Sequence, residues 1–433
     1  SEIFIMNRRD FVKKSATTYL FTIVPSSVLS FIGKSPNDKI QLGFIGVGRQ
    51  GRGLMENFIK YNSATILSCS DVDIDKMNLF EKTYHEKSTT AKKPVNKVKK
   101  YSHYREMLND KEIDAVVIAS PDHWHAQMSI DAAKAGKDIY CEKPLSSSVA
   151  EGRAMVDATR KYDRVFQTGS MQRSWNQFRH AVELIRNGYI GTVQKVYVAI
   201  GDPYKSCDLP TQETPLNIDW DSWIGPTQYR GYHKDLACPI GDKRWAQWRD
   251  YFPYGGGMIT DFGAHMFDIV QWALNMDNSG PINFEPPKIY SKKGLKFTYQ
   301  NGISVTHKKW GEANNEIQFI GSEGRLEVSR RYLKTYPNKS LAKKPIDKIN
   351  PKRVYLSDNH HIDWLQSIRK RKKPICDVEV GHRTATVCNI TNIAYALQRS
   401  LIWDPVDEKF INDPGANLML DRTYRSPWNY RDF

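Results

Sequence analysis

Three glycines in the run Gly46-Val47-Gly48-Arg49-Gln50-Gly51 can turn the chain tightly, bring backbone up to a pyrophosphate and seat a helix against a strand. The N–H groups freed at the start of that helix, with Arg49 and Gln50 among the first residues, would face the phosphates. Asp71 stands about twenty residues beyond Gly51, where a carboxylate accepts hydrogen bonds from adenosine ribose hydroxyls and repels a 2′-phosphate. No arginine adjoins Asp71 in sequence, so NAD is expected rather than NADP.

Two further segments end short apolar runs that read as strands, and so belong to the same carboxyl-end crevice. In Ser120-Pro121-Asp122-His123-Trp124-His125, the residues Ser120, Pro121, His123 and His125 are assigned to the cofactor. In Glu142-Lys143-Pro144 a lysine would project into the crevice while the proline stiffens the turn, and Glu142 and Lys143 are assigned there too. Gln172 is counted with the cofactor residues. The run Gly255-Gly256-Gly257-Met258-Ile259-Thr260-Asp261-Phe262-Gly263-Ala264-His265 puts Asp261 and His265 on one face of a predicted helix over 261–274. A histidine can take a hydroxyl proton as hydride leaves, and a neighbouring carboxylate can orient it. A helix-capping aspartate beside a packed histidine is the alternative. Asp261, His265 and Asp268 lack a further good ligand nearby, so no metal is expected. Arg173, Arg244 and Tyr254, polar residues in loops expected to close over the crevice, are counted with the substrate, as are Asp261 and His265.

The elements that must position these groups form an alternating series. Ile40 to Ile45, Ala64 to Cys69, Ala115 to Ala119 and Asp138 to Cys141 read as buried strands, separated by amphipathic helical periods. Such alternation predicts parallel βαβ units, an α/β doubly wound Rossmann sheet over 38–166. Beyond it the rhythm becomes a run of strands with few helices, an α+β domain over 167–400 with an open, mainly antiparallel sheet. The Pro- and Asn-rich residues 401–433 read as an extended arm.

Together these motifs resemble the Gfo/Idh/MocA family of NAD(P)-dependent sugar oxidoreductases, over about residues 39 to 400. The resemblance implies a Rossmann domain followed by an open-sheet domain, with the family's lysine, aspartate and histidine falling on Lys143, Asp261 and His265. It implies a carbohydrate-like polyol substrate but no particular sugar. Some relatives are NAD-dependent glycosidases, so oxidation of a secondary hydroxyl and cleavage by transient oxidation and elimination both stand as expectations. A sensor without activity is disfavoured by retention of all three residues.

Composition narrows the rest. The chain has 433 residues, 40% hydrophobic and 26% charged, with no apolar run long enough to span a bilayer. Its net charge of +15 sits largely in Lys-rich stretches without interleaved aromatics, which argues against nucleic acid as partner. Asn7-Arg8-Arg9-Asp10-Phe11-Val12-Lys13, followed by the apolar stretch from Ala16 to Ile32, reads as a twin-arginine export signal or N-terminal arm over 1–34, with Met6 as its start, and predicts a periplasmic or exported protein. Among six cysteines, Cys69, Cys141 and Cys388 sit in apolar runs and are expected in the core, while Cys207 and Cys238 are the pair an oxidising compartment would bridge. The strands between Lys288 and Val328 offer a sheet face to a second subunit, and a homo-oligomer is expected.

Overall fold

The computed structural model describes residues 39–433 apart from Lys243, Glu312 and Lys348; the twin-arginine segment lies outside the described residues. The first strands are short, continuous apolar runs, which suits a parallel sheet covered on both faces. They are β1 (Ile40–Ile45), β2 (Ala64–Ser70), β3 (Lys99–Tyr101), β4 (Ala115–Ile118), β5 (Asp138–Cys141) and β6 (Phe166–Thr168), paired in the order β3-β2-β1-β4-β5-β6 and all parallel. Leu42 on β1 lies between Ile66 and Ala115, which fixes the centre of the sheet.

Helices α1 (Arg49–Phe58), α2 (Ile74–Thr90), α3 (Tyr104–Asn109), α4 (His125–Lys134) and α5 (Val149–Lys161) cover the two faces. The spacing of Gly51, Leu54, Met55 and Phe58 gives α1 one buried stripe. One face of the sheet is completed from far along the chain. Helix α10 (His360–Lys370), in the part of the sequence assigned to the second domain, lays Trp364 against Phe58 and Tyr140, with ring centroids 5.8 and 5.6 Å apart. The first core therefore does not close at residue 166.

The second domain is built on a nine-stranded sheet in the order β15-β14-β13-β7-β12-β11-β10-β16-β17. Its strands are β7 (Val193–Ala199), β10 (Asn283–Glu285), β11 (Lys296–Thr298), β12 (Ser304–His307), β13 (Glu316–Gly321), β14 (Arg325–Ser329), β15 (Leu333–Tyr336), β16 (Leu401–Asp404) and β17 (Lys409–Phe410). Only the β7–β12 pair is parallel, so the sheet is mixed and mainly antiparallel. Alternate residues such as Val196, Val198, Ile317, Phe319, Leu326 and Val328 face one buried core. Helices α6 (Asn176–Arg186), α9 (Gly263–Ala273) and α11 (Val378–Leu397) pack into that core. The long loop from 200 to 257 has its own aromatic nucleus of Trp220, Trp223, Tyr232, Trp248, Tyr251 and Tyr254, with helix α7 (Trp220–Ile224) and a two-stranded ribbon, β8 (Lys205–Ser206) and β9 (Tyr251–Phe252).

One sequence expectation is corrected here. The C-terminal arm is not simply extended, because β16 and β17 finish the nine-stranded sheet before a short helix, α12 (Pro414–Asn417). Its last residues return to the Rossmann domain, where Tyr424 donates to Glu151 at 2.8 Å and Trp428 packs edge-on against Trp124. Cys207 and Cys238 are both free, and the Cys207 sulfur accepts from the Arg230 guanidinium instead. Cys69, Cys141 and Cys388 are core residues as expected.

Arg173 is another correction. It is 1% exposed and lines none of the cavities described below; its guanidinium bridges Asp268 (2.8 Å) on α9 and Asp277 (2.7 Å) while lying over Trp272. Removing one member of such a buried cluster strands the others. Arg173→Met is therefore expected to destabilise the fold by about 3–5 kcal/mol, read as a lower midpoint in urea unfolding.

Candidate active site

A cavity of about 850 Å³ opens where β1, β2 and β4 end, lined by Gly46, Gly48, Arg49, Gln50, Asp71, Ser120 and Pro121. The three glycines divide their work as the sequence implies. Gly46 has φ +79°, and a Cβ there would meet the Ser120 nitrogen at 2.6 Å; a Cβ on Gly51 would strike the Gly46 oxygen at 2.3 Å. A Cβ on Gly48 would meet nothing within 4 Å, so this is the point left open for a ligand to approach backbone. No side chain caps the first turn of α1, and its N–H groups are left for an anion. These features fit the pyrophosphate of a dinucleotide.

Asp71 directly follows β2, its carboxylate accepting from the Val47 N–H (2.8 Å) and the Asp73 N–H (3.0 Å). Burial raises its pKa, opposed by Lys76 and by those two donors. Arg52 and Lys76 line the same cavity, which the sequence around Asp71 does not reveal, but Arg52 donates to the Val47 carbonyl and Lys76 pairs with Asp73.

A second cavity of about 530 Å³ continues from the first past Gln50, Ala119, Ser120 and Trp245, and it contains Lys143, Asp261 and His265. Lys143 reaches it from the turn after β5, where the Lys143–Pro144 peptide is cis. Its ammonium donates to the Asp261 carboxylate at 2.5 Å and to the Asp261 carbonyl at 2.8 Å. Burial alone would raise the Asp261 pKa, but Lys143 and Arg249 outweigh it and hold the carboxyl below its ordinary value. His265 is pushed well below the ordinary imidazole range by burial first, then by Lys143 and Arg330. It is a neutral ring at neutral pH, and its Nδ1 has no hydrogen-bond partner among the described residues.

The expected helix over 261–274 breaks at Phe262 into α8 (Met258–Asp261) and α9. Among the described residues no hydrogen bond links Asp261 to His265; Asp261 binds Lys143, and His265 lines the same cavity. His125 plays a supporting part. Its ring nitrogens lie 2.7 and 3.1 Å from the Pro144 and Ser120 carbonyls, tying the lysine turn to the neighbouring one.

Several sequence assignments move. His123 turns away from both cavities, its Nε2 3.0 Å from the Trp223 carbonyl and its ring against Tyr254. Tyr254 is 0% exposed in the aromatic nucleus and does not reach substrate space. Arg244 lines the dinucleotide cavity rather than the catalytic one and pairs with Asp242 and Asp235. Gln172 is buried one step back, accepting from Arg330, which does line the catalytic cavity. Glu142 lines the second cavity and Gly51 packs under Gly46.

The residues missed are Asp122, Arg249, Arg330 and Trp245. Arg249 lies 3.8 Å from Asp261 and over the rings of Trp248 and Trp245, and Trp245 also covers Arg49. The run Trp245-Ala246-Gln247-Trp248-Arg249 was visible as an aromatic and basic segment in the loop. Asp122 sits inside the quoted Ser120–His125 segment, where the two histidines draw attention first; burial lifts its pKa to about 8, against the pull of Arg249.

Comparison with known proteins agrees with this architecture. Residues 40–170 match the model of the Gfo/Idh/MocA oxidoreductase family's NAD-binding Rossmann fold, and residues 184–430 that of its C-terminal alpha/beta domain. The chain is 30% identical over 164 residues to a myo-inositol 2-dehydrogenase of Thermotoga maritima, covering 38% of this chain and 46% of that one. It is 28% identical over 205 residues to a glycosyl hydrolase family 109 protein of Shewanella pealeana, covering 43% and 44%. It spans about half the length of the curated relatives it matches. Among solved structures, the aldose-aldose oxidoreductase of Caulobacter crescentus superposes with a TM-score of 0.60 at 17% identity, over 84% of this chain and 100% of that one. With both of its folded halves matched in order, the chain belongs to the Gfo/Idh/MocA family of oxidoreductases and carries that family's NAD-binding Rossmann domain.

Proposed function

We propose that this enzyme oxidises a secondary hydroxyl of a sugar or sugar derivative and keeps its NAD bound and recycled between half-reactions. The observation that carries this reading is the Lys143–Asp261 pair beside a neutral His265, in a cavity continuous with the glycine-lined one. NAD held by Gly48, the start of α1 and Asp71 supplies the hydride acceptor. The chain's own residues do the rest. His265 takes the hydroxyl proton, and its depressed pKa makes the imidazolium quick to return that proton in the reverse half-reaction. Lys143 stabilises the oxyanion as it forms, and Asp261 fixes the ammonium in place. Glu142, Arg249 and Arg330 surround the site with polar groups that orient a polyol.

Similarity to a protein named for inositol oxidation supports a ring polyol as substrate. A second reading, cleavage of a glycoside by transient oxidation and elimination, draws on similarity to the glycosyl hydrolase family 109 protein and on Asp122, a carboxyl that burial keeps protonated up to about 8 and that faces the same cavity. Arg8-Arg9 supports export by the twin-arginine route, and one face of the nine-stranded sheet is the surface proposed for self-association.

Denaturing the purified protein and identifying the released dinucleotide tests the cofactor part directly. NAD is expected, and in titrations of stripped protein it should bind at least about tenfold more tightly than NADP, because Asp71 repels a 2′-phosphate. Tighter NADP binding would defeat the role given to Asp71.

A further inference from the structure

A third, partly open cavity of about 340 Å³ shares one wall residue, Asp122, with the cavity that holds Lys143, Asp261 and His265. Its volume is at the lower end of the ~300–1,000 Å³ typical of small-molecule sites. The wall is assembled from distant parts of the chain: Ser147 in the loop before α5, Tyr204 and Phe252 at the ribbon, Asn389 and Asn392 on α11, and Arg422 in the C-terminal segment.

The chemistry of that wall is specific. Ser147 Oγ and Asn392 Oδ1 are buried with no hydrogen-bond partner among the described residues, although the Asn392 amide is held by donating to the Gly256 carbonyl at 2.8 Å. A buried polar atom left unpaired costs about 1–3 kcal/mol, so these are places where a ligand hydroxyl would be gained rather than merely tolerated. Tyr204 and Phe252, with centroids 5.2 Å apart and tilted by 34°, form an aromatic wall against which the C–H face of a saturated ring can pack. The one cation, Arg422, lies over Phe252 and donates to the Pro253 carbonyl, and Asp122 and Asp421 share the wall with it, so the lining does not select an anion.

Building on the sugar oxidoreductase reading above, we propose that this space is a second subsite, for a neutral polyol the size of one sugar ring, separated from the reacting ring by Asp122. Its occupant is either a sugar unit linked to the one being oxidised or a second free sugar. Both present the same hydroxyls and C–H face.

The test uses NAD-loaded protein with glucose, galactose, N-acetylglucosamine, myo-inositol and cellobiose as probes, by crystal soaking and by ligand-observed NMR. A ring is expected in the cavity with Ser147 and Asn392 as partners. Asn389→Leu and Phe252→Ala should each weaken that binding at least about tenfold while the retained NAD is unchanged, which also reports that the variants fold. One cellobiose molecule running through both cavities identifies a linked unit; separate rings identify a second free sugar. Only water in the cavity with all five probes, or binding indifferent to both variants, overturns the subsite. Soaks of the unaltered protein decide the matter even if neither variant folds. Failure of the bound NAD to be reduced by any sugar would count against the oxidoreductase reading, whereas normal reduction with an empty third cavity counts against the subsite alone.

Discussion

Replacing Lys143 by methionine is expected to lower kcat at least about a hundredfold while NAD affinity changes little. The side chain volume is kept, but the two hydrogen bonds that the ammonium gives Asp261 both disappear. The oxyanion then loses its positive neighbour, and Asp261 loses the largest influence holding its carboxyl ionised against burial. His265→Ala should cost as much by removing the proton acceptor. The pH profile separates the two roles. Because the His265 pKa is depressed, the imidazole stays unprotonated below the usual imidazole range, and the unaltered enzyme should hold its kcat/KM down to pH values where an ordinary histidine base would already be lost. With Lys143→Met one of the charges depressing that pKa is gone, so the acid limb of the residual activity should move upward. Near-normal turnover in His265→Ala would remove it as the base.

Loaded enzyme given sugar and a second carbonyl compound, or a glycoside, with no added NAD is expected to form many products per bound cofactor. Under the export proposed above, no nicotinamide pool would replace a reduced cofactor, and the redox cycle would have to close on the protein. Trp245 lies over Arg49 at 4.5 Å and under Arg249 at 5.1 Å, joining the loop over 233–250 to the start of α1. Trp245 is itself 48% exposed, so Trp245→Ala should release NAD faster with little effect on the fold. A yield that stops at one product per bound cofactor, and resumes only when free NAD is supplied, would restore a conventional dehydrogenase.

What could be read from sequence followed the range of the interactions involved. The glycine turn, the strands on either side of it and the lysine after β5 are local features, each set within a few residues by backbone freedom and apolar periodicity, and they lie where the motifs put them. The break at Phe262 was not legible, because spacing alone continues a helix through it. Loop residues were misassigned for a different reason. Arg173 and Tyr254 are polar residue types in loop-like sequence, yet their partners, Asp268 and Asp277 for one and His123 and Trp223 for the other, come from elements far away in the chain. The same nonlocality hid Arg330, which approaches the site from the far end of β14.

Trp428 lines the dinucleotide cavity together with Gly46 and packs against Trp124. The cofactor's enclosure therefore draws on residues made early and residues made late in translation. A nascent chain holding only the six Rossmann strands would have the glycine turn but neither Trp245 nor Trp428, and so only part of the cavity wall. On the proposed reading, firm cofactor loading would then be a late event in biogenesis, following the synthesis and docking of the loop and the tail.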